Sequence, residues 1–193
     1  MKKVAVFDID GTITDMWPIE KSVLLALLGK KFSNAIENIY QSKTKDTYAI
    51  FRKLSKFSIN RTKFIRYYNQ AFSRLERDNS LPKPVRYPIT DWIKKNKAKY
   101  YFVYATGGQS KEINYVLKSL GLNKVFDFKN SLNKNNYPFS KATGQPFKKI
   151  KSKFPDCFVI TDSQSDCRGA RRAGVPFIII KPNQAVPSIF LVF

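Results

Sequence analysis

Asp8 and Asp10 stand one residue apart at the end of the apolar run VAVF (4–7), and Gly11 and Thr12 follow at once. If the strand persists through residue 10, its alternating side chains put both carboxylates on one face and Phe7 and Ile9 on the other. Gly11 then lets the backbone turn sharply, and the Thr12 hydroxyl can hold that turn. Adjacent carboxylates repel each other, so the pair needs a compensating device. A bound divalent cation is one; a shared proton that raises one pKa, suiting a nucleophile beside a general acid, is another. A second apolar run, YYFVYA (100–105), leads into Thr106, Gly107 and Gly108. A hydroxyl with open backbone N–H groups can receive phosphate oxygens. A third run, CFVI (157–160), is followed by Asp162 and Asp166. Hard oxygen ligands at a strand end suit Mg²⁺, which keeps several waters and takes one or two carboxylates. Asp166 is equally placed to cap the helical run after it. Between the second and third pieces, Lys141 in SKATGQPF is the best candidate for a cation serving this group.

The elements that must position these residues have two textures. Short apolar runs at 4–7, 100–105, 157–160 and 177–180 read as strands buried on both faces of a parallel sheet. Between the second and third, Glu112 to Leu120 carries Ile113, Val116, Leu117 and Leu120 at helical spacing, with Gly121 as a stop. Strand, helix, strand is the doubly wound α/β pattern, in which ligands bind beyond the carboxyl ends of the strands. Residues 16–80 lack strand runs and offer helices instead: IEKSVLLALLG, TYAIFRKLSKF and RTKFIRYYNQAFSRLER. In the last of these, Phe64, Ile65, Tyr68, Phe72 and Leu75 recur at three- and four-residue steps. LPKPVRYP (81–88), with three prolines, reads as the linker that returns the chain to the sheet. The predicted organisation is an α/β core domain over 1–15 and 84–193, with a helical subdomain over 16–83.

Composition narrows the chemistry. The chain has no histidine, which removes Ser-His-Asp and Cys-His catalysis and imidazole-based zinc sites. Acid and base work must fall to carboxylates, lysine or tyrosine. Cys157 and Cys167 cannot build a metal cluster alone and read as reduced thiols. The longest apolar run, VLLALL (23–28), is too short to span a bilayer, and the first fifteen residues do not resemble a secretory signal. The expectation is a cytoplasmic protein without a membrane partner. The net charge is +21, with 15 Lys and Arg against 6 Asp and Glu in residues 15–88 and 20 against 8 elsewhere. Charge spread in this way is a diffuse field that favours anionic ligands.

FDIDGTITD resembles the DxDxT motif of the haloacid dehalogenase (HAD) superfamily, most of whose members are Mg²⁺-dependent phosphohydrolases. Thr106 in YATGG resembles the family's strand-end Thr/Ser, Lys141 its lysine, and TDSQSDCRGARRAG its acidic motif and the helix after it; LKSLGLNKVFD (117–127) also resembles the family's run into its third strand. Lys148, Lys149 and Lys151 compete for the lysine's place, but Phe147, six residues after Lys141, resembles the apolar position that follows the family lysine. Thr161 stands where the family often has glycine or aspartate. The resemblance implies a Rossmann-like three-layer core with a mainly parallel sheet, its DxD strand central, and a small α-helical cap between the first and second motifs. It implies that Asp8 attacks phosphorus to form an aspartyl-phosphate and that Asp10 acts as general acid and base. Thr106, Gly107 and Lys141 would bind the phosphoryl group. Mg²⁺ would be held by Asp8, Asp10 (through its carbonyl) and Asp162, with Asp166 supporting them. The presence of Asp10 favours the phosphatase branch over the dehalogenases. The expected substrate is a small phosphorylated metabolite. The alternative is a basic nucleic-acid-binding protein, or a nucleic-acid end phosphatase, on the same scaffold.

Overall fold

The computed structural model describes residues 2–42 and 46–183, and these divide into two compact units. One holds the residues up to Asp15 and those from Pro84 onward; the other is Met16–Lys83. The last ten residues of the predicted core domain, 184–193, lie outside the described residues.

The first unit is built on a four-stranded sheet: β1 (Lys3–Phe7), β2 (Tyr100–Tyr104), β3 (Cys157–Thr161) and β4 (Phe177–Ile179), in the order β2-β1-β3-β4 and parallel throughout. Flanked on both sides, β1 reads as it must: Val4, Ala5, Val6 and Phe7 are all buried, and none has a polar side chain to satisfy. Burying each valine or phenylalanine is worth about 1.5–3 kcal/mol.

The second unit consists of α1 (Trp17–Leu28), α2 (Ser33–Gln41), α3 (Thr47–Leu54) and α4 (Arg61–Arg77). α4 starts where Asn60 accepts a hydrogen bond from Lys63 N at 2.9 Å, and α3 where Asp46 accepts one from Ala49 N at 2.8 Å; both are side-chain N-caps. Phe64, Tyr68 and Phe72 are buried along α4, as its three- and four-residue steps require. Trp17 stacks on Tyr40 with ring centroids 3.6 Å apart, which joins α1 to α2.

The helices of the first unit are α5 (Ile89–Lys95), α6 (Ser110–Ser119), α7 (Gln145–Lys153) and α8 (Gln164–Arg172). Val4, Val6, Val103 and Val159 pack with Phe147 and Ile150 of α7 and Ala170 of α8 on one face of the sheet. On the other face, Phe7 meets Trp92 of α5, Phe102 and Phe126 at ring separations of 5.9–6.3 Å. Helices on both faces make this a three-layer, Rossmann-like α/β fold. Cys157 and Cys167 are free, buried thiols, each pushed up in pKa mainly by burial. Among the described residues no helix is long and apolar enough to cross a membrane.

Several boundaries differ from the sequence reading by a few residues, and one matters. α6 runs two residues earlier at its start, because Gln109 N donates to the Glu112 carboxylate at 3.0 Å in a capping box. β1 stops at Phe7 instead of persisting through residue 10. Beyond Asp8 the chain enters a tight turn in which Ile13 N and Thr14 N both donate to Ile9 O, and Gly11 N donates to Thr14 O. Strand alternation therefore does not relate Asp8 to Asp10.

Candidate active site

Because the sheet is parallel and in register, its carboxyl edge gathers three segments that are far apart in sequence. Phe7 lies opposite both Tyr104 and Ile160, so the residues that follow β1, β2 and β3 emerge side by side. Asp8 N donates to Ile160 O at 3.1 Å, and Ala105 N donates to Phe7 O at 2.9 Å, extending the ladder one step past the strands. Val4 and Val6 face α7 and α8, and Asp8 continues the same parity toward that layer.

Lys141 meets Asp8 there. Its Nζ lies 2.6 Å from Asp8 Oδ2 and 2.5 Å from Asp166 Oδ2. The Asp8 side chain is 9 % exposed, Lys141 16 % and Asp166 2 %. Asp8 Oδ1 accepts from Ile9 N at 2.8 Å, so both of its oxygens are held. Burial works against the Lys141 charge, but Asp8 and Asp166 more than offset it and hold its pKa above the ordinary value. Burial pushes Asp166 up to about 6, opposed by Lys141 and assisted by the negative charge of Asp8. Asp166 Oδ2 also accepts from Thr161 Oγ1 at 3.1 Å. Lys148, the competing lysine, is exposed on α7.

Asp162 follows β3 and is tied to the β1 turn. Thr12 Oγ1 donates to Asp162 Oδ1 at 2.8 Å and accepts from Asp162 N at 3.0 Å. The Thr12 hydroxyl thus joins two loops instead of holding its own turn. Gly11 is required on two counts: its φ is +75°, and a Cβ there would run into the Asp162 carboxylate. Burial raises the pKa of Asp162, and after the opposing Thr12 hydrogen bond the charge of Asp8 raises it further.

Asp10 is exposed at the mouth of the turn. It belongs to the same electrostatic neighbourhood as Asp162. The buried Tyr87 phenol is pushed up by burial first, then by Asp15, Asp10 and Asp162. Tyr87 sits on the segment that returns from the helical unit, where Thr14 Oγ1 donates to Val85 O at 2.7 Å.

Thr106 is buried, and its Oγ1 accepts from Gly108 N at 3.2 Å, which leaves the hydroxyl hydrogen to donate. Gly107 is exposed beside the Lys134 side chain, 3.9 Å from where a Cβ of Gly107 would lie.

Asp8 and Asp162 are oxygen donors at adjacent strand ends, and the Asp8 charge adds to the burial that raises the pKa of Asp162. Among the described residues no three side chains of His, Cys, Asp or Glu converge as a complete cage. Carboxylate oxygens of this kind suit a hard cation such as Mg²⁺, which completes its shell with waters and backbone oxygens. Asp166 is committed to Lys141 and Thr161 and stands behind this pair.

Several residues that shape the site are not singled out by sequence spacing. Thr161 donates to Asp166 and accepts from Ser163 N at 3.0 Å, fixing both the carboxylate and the loop. Gly169 and Gly144 bring the Lys141 turn (Lys141–Thr143) against α8. A Cβ on Gly169 would collide with Lys141 O, and one on Gly144, at φ +80°, would lie 2.8 Å from Gly169 O. Gly169→Ala is therefore expected to lift the Lys141 turn off α8. The expected result is a loss of about 1–3 kcal/mol in stability by denaturation, as for other overpacked contacts. A Lys141 ammonium displaced by about 1 Å should also lower turnover by about 100-fold. Unchanged stability and turnover would show that the contact is soft.

A haloacid dehalogenase-like hydrolase family model matches residues 2–174. Among curated proteins nothing matches. Solved structures do. A HAD hydrolase, family IA, variant 3, from Entamoeba histolytica is 16 % identical, with 96 % of this chain and 86 % of that one covered and a TM-score of 0.68. CbbY from Rhodobacter sphaeroides, in complex with phosphate, is 18 % identical, with 93 % and 86 % covered and a TM-score of 0.67. The HAD-hydrolase YfnB from Bacillus subtilis, bound to magnesium, is 16 % identical, with 97 % and 92 % covered and a TM-score of 0.65. At such identities the structural likeness establishes the fold, and it is the family model, spanning most of the chain, that assigns this protein to the haloacid dehalogenase-like hydrolases.

Proposed function

We propose that this hydrolase is a Mg²⁺-dependent phosphatase that cleaves a small phosphomonoester through an aspartyl-phosphate on Asp8. The observation that carries this reading is the Lys141 ammonium held between the Asp8 and Asp166 carboxylates at the carboxyl edge of a parallel sheet. In the first step an Asp8 carboxylate oxygen bonds to phosphorus as the bond from phosphorus to the ester oxygen breaks. Asp10, reached by solvent, gives its proton to the leaving alcohol. In the second step Asp10 takes a proton from water, whose oxygen displaces Asp8 and releases inorganic phosphate. Lys141 offsets the charge of Asp8 as the phosphate dianion approaches. The Thr106 hydroxyl and the Gly107 N–H receive the phosphoryl oxygens. Phosphoryl transfer needs alignment and charge neutralisation above all, so the absence of histidine is no obstacle.

Asp8 and Asp162, with the Asp10 carbonyl, are the groups that would hold Mg²⁺, and Asp166 would act behind them by keeping Lys141 in place. The metal supplies Lewis-acid neutralisation of phosphoryl charge. We read residues 16–83 as the family's cap subdomain, which sets substrate choice. The phosphate bound by the Rhodobacter relative and the magnesium bound by the Bacillus relative support the reading.

Hydrolysis of an aryl phosphate with and without Mg²⁺ tests it. The absence of Mg²⁺-dependent turnover above that of Asp8→Asn, on this substrate and on a panel of metabolite phosphates, would overturn it. Metal binding has its own readout. The raised pKa of Asp162 means that the metal-free folded state holds this proton more tightly than the unfolded chain. Its stability contribution is then full below the unfolded value and falls as pH rises through the folded one. A cation reverses that cost. Mg²⁺ at 100 times its Kd should add about 2.7 kcal/mol, a rise in Tm of about 5–10 °C for a chain of this length. The rise should vanish in Asp162→Asn, and in the wild type it should fade on acidification at a higher pH than for an exposed aspartate. An equal rise in both proteins would place the metal elsewhere.

A further inference from the structure

Away from the aspartates, the segment 129–136 and α7 line a cavity of about 190 Å³, with Lys129, Lys149 and Lys153 around it beside Asn130, Ser131 and Asn136. Its neutral groups are already committed. Asn130 donates to the Asp127 carboxylate and accepts from Lys153 Nζ at 3.2 Å, and Asn136 Nδ2 donates to Ser131 O at 2.9 Å. Asp127 is held by other partners: it accepts from Lys129 N at 2.8 Å, from Asn130 N at 3.3 Å and from the Tyr101 hydroxyl. Among the described residues no carboxylate forms an ion pair with any of the three lysines. Three lysines line one cavity with no ion-pair partner among the described residues, so an anion is the complement this cavity lacks.

The cavity is joined to an aromatic surface by a shared side chain. Lys149 Nζ lies 4.4 Å from the centroid of the Tyr137 ring. Tyr137 packs against the core cluster and meets Phe139 at a ring separation of 5.1 Å. Phe139 is 57 % exposed, so much of its ring is open to solvent. A basic cavity one side chain away from an exposed ring matches the combination that binds single strands: cations for the backbone and an aromatic face for a base. The diffuse charge of +21 would steer such a polyanion toward the protein.

We propose that this face of the core unit binds single-stranded nucleic acid, with a backbone phosphate among Lys129, Lys149 and Lys153 and a base on Phe139. The site is separate from Asp8 and does not depend on the phosphatase reading.

Fluorescence anisotropy of a labelled oligodeoxythymidine, titrated with the full chain over a range of salt concentrations, tests it. The triple variant Lys129→Gln, Lys149→Gln, Lys153→Gln should bind more weakly and flatten the slope of log K against log salt by about 2, the value for three lost phosphate contacts on a single strand. Phe139→Ala should lower affinity by about tenfold and leave the slope unchanged. All four residues are exposed, so both proteins should keep the wild-type melting temperature. A triple variant with wild-type affinity and slope would assign binding to diffuse charge and overturn the proposal. A reduced slope with a silent Phe139→Ala would make the cavity a simple anion site and overturn the nucleic-acid assignment.

Discussion

Asp8→Asn is expected to lower the turnover of an aryl phosphate by about 10⁴-fold, the scale of loss when a covalent nucleophile is removed. The carboxamide has the shape of the carboxylate and can still accept from Ile9 N, but its oxygen is too weak a nucleophile to displace the ester. The fold should survive, because Lys141 keeps Asp166 as its partner and the backbone bond from Asp8 N to Ile160 O does not involve the side chain. Two readouts separate loss of the nucleophile from loss of structure: an unchanged far-ultraviolet spectrum, and the disappearance of the acyl-phosphate that acid quenching should trap on the wild type. Asp10→Asn should behave differently. With an aryl leaving group that needs little protonation, the phosphoenzyme should still form, and its hydrolysis should slow by about 10²–10⁴-fold, so the trapped species should accumulate. If Asp10→Asn leaves turnover unchanged, the acid–base role given to Asp10 is wrong even where the role of Asp8 stands.

How much of this was legible in the sequence depends on the range over which each cause acts. The strand ends that carry Asp8, Thr106 and Asp162 announce themselves because VAVF is buried throughout, and YYFVYA and CFVI are buried over most of their length. α4 is legible because four turns repeat the same apolar stripe. α2 and α7 are not, because nine residues with Ile36 alone buried, or with only Pro146, Phe147 and Ile150, give periodicity too little length to register. The end of β1 at Phe7 was missed for a local reason, since alternation says nothing about the three backbone bonds that close the turn around Ile9. Gly144 and Gly169 are missed for a longer-range one. Gly169 lies 28 positions beyond Lys141, and only the packing of a turn on a helix makes the glycine necessary.

The same packing explains why the carboxylates can be tolerated before any metal arrives. Asp8, Asp162 and Asp166 lie on one edge of the sheet, where burial pushes Asp162 and Asp166 toward their neutral forms. The protein answers with one cation placed between two of them, and with hydroxyls: Thr161 donates to Asp166 and Thr12 to Asp162. At Asp162 burial, and after it the charge of Asp8, keeps the pKa raised despite the Thr12 hydrogen bond and Lys141.

Lys141→Met, of similar length and without charge, puts that balance to the test. Removing one partner from a buried ion pair leaves an uncompensated charge, which costs about 3–5 kcal/mol; here Asp166 can take up a proton and limit the loss to about 3 kcal/mol. For a chain of this length that is a fall in Tm of about 6–12 °C. The deficit should depend on pH with a defined sign. Asp166 already titrates at about 6 with the lysine in place, and without it the value rises further. The folded variant then binds its proton more tightly than the unfolded chain, so it is most stable in acid and loses stability as pH rises through the folded pKa. Denaturation at pH 8 should therefore show a larger deficit against the wild type than denaturation at pH 5. Adding Asp166→Asn should recover stability, because the orphaned carboxylate is gone, with a coupling of about 1–3 kcal/mol in the double-mutant cycle. It should not recover hydrolysis: without the ammonium beside Asp8, the approach of a phosphate dianion to a carboxylate is opposed in both variants, and turnover should stay about 10²–10³-fold below the wild type. A Lys141→Met protein within about 0.5 kcal/mol of the wild type at both pH values would mean that the lysine is an ordinary surface charge.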